Sequence, residues 1–129
     1  MNVYSYTYDE VHDPPAPVVE ISIYPPKTPA REARLTVMID TGADVSTLPL
    51  RVLKRIAAEY LETATLRGVA GGRITVDLYR VAVRVGPHTI PTVRVAGVAS
   101  TTDAVLGRDV LNHLKVTLDG PAQTSEIEG

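Results

Sequence analysis

The run Arg73 to Val85, RITVDLYRVAVRV, alternates apolar and polar residues and is crowded with β-branched side chains. A period of two marks a strand with one face on a core, and β-branched side chains fit a pleated surface. Ile74, Val76 and Leu78 share one face, after which the apolar set shifts to Val81, Val83 and Val85. That change of phase predicts a bulge or bend near Tyr79 and Arg80. Val18 to Tyr24 (VVEISIY) also alternates, and Pro25, Pro26 and Pro29 stop it. Ala33 to Asp40 (ARLTVMID) reads as a second strand, closed by the turn signal Thr41-Gly42. Gly86-Pro87 turns the long run into a further strand, Thr89 to Val95. The 129 residues include no Phe, Trp or Cys, so Val, Ile and Leu must build the core. The fold class expected is mostly β.

Two short helices interrupt the strands. Thr47-Leu48-Pro49 opens the first, with Pro49 near the first turn. Leu50, Leu53, Ile56, Ala57 and Tyr60 follow at helical spacing, with Arg51, Lys54, Arg55 and Glu59 between them, so a helix is expected from Leu50 to Leu61. Arg51, Lys54 and Arg55 read most simply as its solvated face. The second helix is Arg108 to Lys115, where Val110, Leu111 and Leu114 share a face. One domain is expected over residues 18–120. Residues 1–17 form an arm: Tyr4 to Tyr8 alternates like an edge strand, and Asp9 to Pro17 is an acidic, Pro-rich linker. Residues 121–129 are polar and are expected to be a flexible tail.

Thirteen basic against fifteen acidic residues give a formal net charge of -2. That near balance supplies no electrostatic case for nucleic acid or an anionic membrane. No apolar run approaches the roughly 20 residues that span a bilayer, and Met1 to Glu10 lacks the pattern of a secretory signal. A cytoplasmic location is the expectation. Without cysteine there is no disulfide framework or thiolate chemistry. His12, His88 and His113 lack metal-ligand spacing, and Asp40, Asp44, Asp103 and Asp109 fit no calcium loop. Neither a metal nor a cofactor is expected.

The chemistry concentrates at Met38-Ile39-Asp40-Thr41-Gly42-Ala43-Asp44. An apolar strand delivers a carboxylate to a tight turn, followed by a hydroxyl and a residue with free backbone angles. Taken alone, Asp-Thr-Gly is an ordinary way to end a strand. Its company gives it meaning. Around Asp40 the sequence IDTGADVSTLP resembles the active-site segment of the retropepsin-like aspartic proteases, the retroviral proteases and their cellular relatives. Gly68-Val69-Ala70-Gly71-Gly72 resembles the tip of their flap, and Gly86 to Ile90 with Thr92 to Val95 resembles the strand pair beyond it. Ala104-Val105-Leu106-Gly107-Arg108-Asp109 resembles the hydrophobic-hydrophobic-glycine motif plus arginine that opens the C-terminal helix. The four segments occur in the family's order, and the resemblance as a whole covers roughly residues 18–119. Departures from the viral pattern are the helix after Pro49, the small flap-tip pair Val69-Ala70, and the extra length at both ends.

The resemblance implies a closed β-barrel of the acid-protease type and an aspartic endopeptidase. That chemistry needs two carboxylates sharing one proton, since like charges in close contact resist joint ionisation. The chain carries Asp-Thr-Gly once, so the implied enzyme is a symmetric homodimer with one Asp40 from each copy. Thr41 would hydrogen-bond across the two-fold axis, and Gly42 would let a substrate amide reach its carbonyl. An extended peptide would lie under the flap at Gly68, Val69, Ala70 and Gly71. Met38, Thr47, Val69, Ala70 and Val105 are candidates to line its side-chain pockets; for the apolar ones, plain core packing is the alternative. Asp44, also a candidate substrate contact, is expected to pair with Arg108 beside the site. The family's dimer is held by a sheet woven from both chains' termini. Val116 to Leu118 aligns with its C-terminal strand. Tyr4, Tyr6 and Tyr8 are candidates for the N-terminal one, unless the arm is flexible or is removed by self-cleavage. A silent dimerisation or peptide-binding module of the same fold is the competing class.

Overall fold

The computed structural model describes residues 2–67, 71–99 and 104–129. The described residues form ten strands and two short helices. After β1 (Val3–Thr7) and β2 (Val18–Tyr24), a single 3₁₀ turn at Pro29–Arg31 leads into β3 (Ala33–Ile39). Then come β4 (Thr47–Pro49), α1 (Leu50–Arg55), β5 (Glu59–Arg67), β6 (Arg73–Val85) and β7 (His88–Val98). The chain closes with β8 (Val105–Leu106), α2 (Arg108–Leu111), β9 (Val116–Asp119) and β10 (Thr124–Glu128).

Seven strands form one sheet in the order β2-β3-β8-β4-β7-β6-β5. β2 also pairs with β6, from Ser22 opposite Arg84 to Tyr24 opposite Ala82, which curls the sheet back on itself. The closed barrel implied by the resemblance is met only in this partial form, because the joining ladders at β3–β8 and β4–β8 are very short. The alternation seen in the sequence sets the inward face. Val19, Ile21 and Ile23 of β2, Val37 of β3, Val81, Val83 and Val85 of β6, and Val95 of β7 are at most 2% exposed. Each such side chain contributes about 1.5–3 kcal/mol relative to an exposed one. Arg34 and Arg84 both engage Glu32, the residue before β3, tying that strand's start to β6. Its carboxyl is held below the usual carboxylate range, chiefly by the Arg34 hydrogen bond.

The phase change in β6 falls within one residue of its expected place. Leu78 and Tyr79 are buried in succession, and the register against β5 breaks where Tyr60 and Glu62 face Tyr79 and Leu78. The extra residue belongs to β5, not β6. A second break, between Val81 and Val83, lies opposite Pro91 of β7, which has no N–H for a ladder.

Both helices are shorter than expected. Thr47–Pro49 is strand, not a helix start, and α1 stops at Arg55. Ala57 takes φ 54°, while its N–H bonds Lys54 O and the Ala58 N–H bonds Leu53 O. This is the Schellman closure of a helix. It turns Tyr60 and Leu61 into strand β5. The second helix ends at Leu111, not Lys115.

The termini bring the largest correction. β10 lies between β1 and β9 in a three-stranded sheet, so the expected flexible tail is a central strand. It alternates: Ser125 and Ile127 point inward and are fully buried, while Glu126 and Glu128 point away. β1 is an edge strand as expected, but it pairs with β10 of its own chain, from Val3 opposite Glu128 to Thr7 opposite Thr124. Replacing Ile127 by Ala should therefore lower unfolding free energy by about 2–5 kcal/mol in urea titration. A change within error would mean that β10 packs loosely.

Candidate active site

Asp40 is the residue immediately after β3, and its position is set by β8. β8 runs parallel to β3, with Met38 beside Val105 and Ile39 beside Leu106. The Met38 N–H donates to Ala104 O at 2.8 Å and the Asp40 N–H to Leu106 O at 3.0 Å. On the other side of β8 lies β4, where Thr47 faces Val105. The loop from Asp40 to Ser46 thus leaves on one side of β8 and returns on the other. It has little freedom to drift.

Within the loop, the Gly42 N–H donates to Asp40 Oδ1 at 2.9 Å, and the Ala43 N–H to Asp40 O at 3.2 Å. The carboxylate is fixed by its own turn. Asp40 is half-buried, and Thr41 and Gly42 are exposed.

The returning end is anchored by two residues that the sequence did not single out as a pair. Ser46 is 1% exposed. Its N–H donates to Asp109 Oδ2 at 2.9 Å and its hydroxyl to Asp109 Oδ1 at 2.6 Å. Ser46 Oγ in turn accepts the Gly107 N–H at 2.9 Å, so the hydroxyl donates once and accepts once. The Arg108 N–H also donates to Ala43 O at 2.9 Å. A Cβ on Gly107 would lie 2.8 Å from Ala43 O, which is backbone and cannot swing away. Glycine is required there by close approach.

The expected pair of Asp44 and Arg108 is present. Arg108 Nη2 donates to Asp44 Oδ1, while Nη1 donates to Thr41 O at 2.6 Å. The pair lies on the surface, with side chains 44% and 81% exposed, so it stabilises by no more than about 1 kcal/mol. Its geometric effect is to hold the Thr41 carbonyl. Asp40, Thr41, Gly42, Asp44, Val105 and Arg108 are thus brought together around one loop, with Met38, Val105 and Thr47 as half-buried neighbours across three strands. Gly71 belongs to a different element, the turn of the β5–β6 hairpin, where it takes φ 79°. Arg67 opposite Arg73 is the last pair of that ladder. Gly68, Val69 and Ala70 lie outside the described residues. Among the described residues, no three His, Asp or Glu side chains gather as a metal ion would require. No helix among them is long and apolar enough to cross a membrane.

The strand-borne Asp-Thr-Gly loop and the strand threaded through it define the retropepsin-like aspartic protease class. Solved structures share the fold. The EIAV protease, complexed with the inhibitor HBY-793, superposes with a TM-score of 0.60 at 23% identity, over 76% of this chain and 86% of that one. A retropepsin-like aspartic protease from Rickettsia conorii gives 0.58 at 13% identity, over 98% of this chain and 91% of that one. The simian foamy virus (mac) protease gives 0.52 at 17% identity, over 74% and 91%. No curated protein matches the sequence. The model of the family described as "gag-polyprotein putative aspartyl protease" matches residues 31–113, more than half of the chain. The chain belongs to that family.

The burial difference between the two polar contacts sets an order of importance. Ser46→Ala leaves the Gly107 N–H and the Asp109 carboxylate short of a partner and should cost about 1–3 kcal/mol. Asp44→Asn should cost less than about 1 kcal/mol. Urea titration of both variants checks this, and a larger loss for Asp44→Asn would reverse the order.

Proposed function

We propose that this chain is an aspartic endopeptidase, active as a homodimer in which each copy supplies one Asp40. The observation that carries the reading is the Asp40 carboxylate itself. It sits half-exposed just after β3, with one oxygen held by the Gly42 N–H at 2.9 Å. A carboxylate kept merely as a turn former could be replaced by any short polar residue. The membership of the family and the single Asp-Thr-Gly support the rest.

The chemistry follows from two such groups. With one proton between them, the ionised Asp40 takes a proton from a water held between the copies. The hydroxide so formed attacks the scissile carbonyl carbon. The protonated Asp40 of the other copy gives its proton to the carbonyl oxygen, leaving a tetrahedral diol. In the collapse the Asp40 that took the water's proton gives it to the amide nitrogen, the other Asp40 takes a proton from a diol hydroxyl, and the C–N bond breaks, which leaves one proton on the pair again. Thr41 and Gly42 frame the dyad, and the Arg108 contact to the Thr41 carbonyl keeps that frame in place.

The substrate in this reading is an extended peptide lying between the loop and the β5–β6 hairpin, which makes strand-like backbone bonds. Gly42, Asp44, Gly68 and Gly71 would meet its backbone. Met38, Thr47, Val69, Ala70 and Val105 would meet alternate side chains.

Digestion of a mixed peptide library, read by mass spectrometry with and without pepstatin, tests the activity. Asp40→Asn keeps the shape of the side chain and removes its acid–base capacity. It should reduce cleavage by ~10²–10⁴-fold or more, with the melting curve little changed. Undiminished, pepstatin-resistant cleavage by a clean Asp40→Asn preparation would contradict the mechanism, and no cleavage by the wild-type chain would favour a silent binding module.

A further inference from the structure

The β5–β6 hairpin has two unlike faces. Residues directly opposite in an antiparallel ladder share a face, and successive pairs take alternate faces. Ala64 opposite Val76 and Leu66 opposite Ile74 make one face apolar. Val76 and Leu78 are buried there with Ala96 of β7, and Val45 of the Asp40 loop packs against them. That face looks toward the Asp40 loop. The other face carries Thr63 opposite Asp77, Thr65 opposite Thr75 and Arg67 opposite Arg73. Apart from the half-buried Asp77, these residues are exposed.

The strands hold six arginines, and four of them have a glutamate. Arg34 and Arg84 engage Glu32, Arg94 engages Glu62, and Arg80 meets Glu59 at 3.8 Å. Arg67 and Arg73 have no carboxylate partner among the described residues, and they face each other. Like charges directly opposite destabilise a ladder. The Cβ atoms of such a pair are about 4.5–5.5 Å apart, so both guanidinium groups can reach one small anion. Each offers five N–H donors and no acceptor. One pair further along the same face, the Thr65 and Thr75 hydroxyls add two more donors. Asp77, the acid on this face, already accepts the Thr63 hydroxyl at 2.9 Å. Thr65, Leu66, Arg67 and Arg73 line an open recess of about 280 Å³. Donors converge there with two positive charges and nothing to balance them.

We propose that this face of the hairpin binds a doubly charged oxyanion, a phosphoryl group or a dicarboxylate, between Arg67 and Arg73, with Thr65 and Thr75 as further donors. Guanidinium forks match such oxyanions through paired N–H bonds. Two negative charges balance the two arginines, and the anion turns a repulsive pair into a bridged one. It thereby ties β5 to β6 at the end of their ladder. The bound anion lies on the side of the hairpin away from the Asp40 loop, so the apolar face stays open. The site is separate from the one proposed for a peptide and does not depend on the chain being a protease.

The test is an NMR titration of the full chain with inorganic phosphate and with succinate, against sodium chloride at matched ionic strength. The signals read are the backbone amides of Thr65, Arg67, Arg73 and Thr75 and the arginine side-chain N–H groups. The expected result is a saturable shift at millimolar phosphate or succinate that chloride does not reproduce. Arg67→Gln and Arg73→Gln should each weaken binding roughly tenfold or more. Arg73→Lys keeps the charge but loses the fork, and should recover only part of the affinity. Melting curves give a second readout. At low salt without either probe, Arg73→Gln should melt no lower than wild type, because it removes a like-charge contact. Phosphate should raise the wild-type melting temperature and leave that of the variant unmoved. Arg51→Gln, on the exposed face of α1, should behave as wild type throughout. Tighter binding of phosphate assigns the phosphoryl source and tighter binding of succinate the carboxylate one; either keeps the site. Shifts that never saturate, or that chloride matches, are general screening and overturn the site. Saturable binding that survives the joint Arg67→Gln, Arg73→Gln variant places the anion elsewhere and overturns it too.

Discussion

Two residues of backbone, Val105 and Leu106, position almost everything near Asp40. They lie between the strand that leads into the Asp-Thr-Gly loop and the strand that leaves it; both pair with the first, and Val105 also pairs with the second. A loop whose two ends are clamped to the same central strand cannot open without breaking that strand's ladder. The Asp40 N–H reaches Leu106 O, and the Gly107 N–H reaches the hydroxyl of Ser46 at the loop's far end. One short segment therefore fixes where the carboxylate begins and where the chain after it must return.

The strengths of the contacts around this segment follow burial and not charge. Ser46 and Gly107 are shielded from water, so their bonds are costly to break and tolerate no substitute of another size. Asp44 and Arg108 carry full charges but stand in solvent, where screening leaves little net energy. Their pairing shapes the rim by holding one carbonyl. A variant series that measured stability alone would rank these residues in the opposite order from one guided by formal charge.

The strands were legible because β-branched residues alternate over lengths that chance does not sustain; Val18 to Tyr24 and Arg73 to Val85 match their strands residue for residue. The Asp40 loop and its link to Arg108 were legible through motif order. The failures have physical causes. Ala57 and Tyr60 continue the helical spacing of Leu50, Leu53 and Ile56 only by coincidence, and the stop is an alanine at positive φ where a glycine would have signalled it. β10 presents only two inward positions, and one is serine, so its alternation is nearly invisible. The Ser46–Asp109 contact joins residues 63 apart, and no local pattern can announce a pairing of that separation. Glycine before Arg108 was noted as part of a motif, but its reason, contact with Ala43 O, exists only in three dimensions.

The proposed enzyme has one catalytic carboxylate per chain, Asp40, and its central claim is that two chains share one reaction. Subunit mixing tests this directly. Wild-type chain is equilibrated with an equal amount of Asp40→Asn chain at concentrations that favour association, and cleavage is measured per wild-type chain. Random pairing leaves half of the wild-type chains with an inactive partner, so the account predicts that activity per wild-type chain falls to roughly half, and falls further as the variant's share rises. Activity per wild-type chain that stays constant across the mixing series would show that each chain works alone, and would contradict the shared Asp40 dyad.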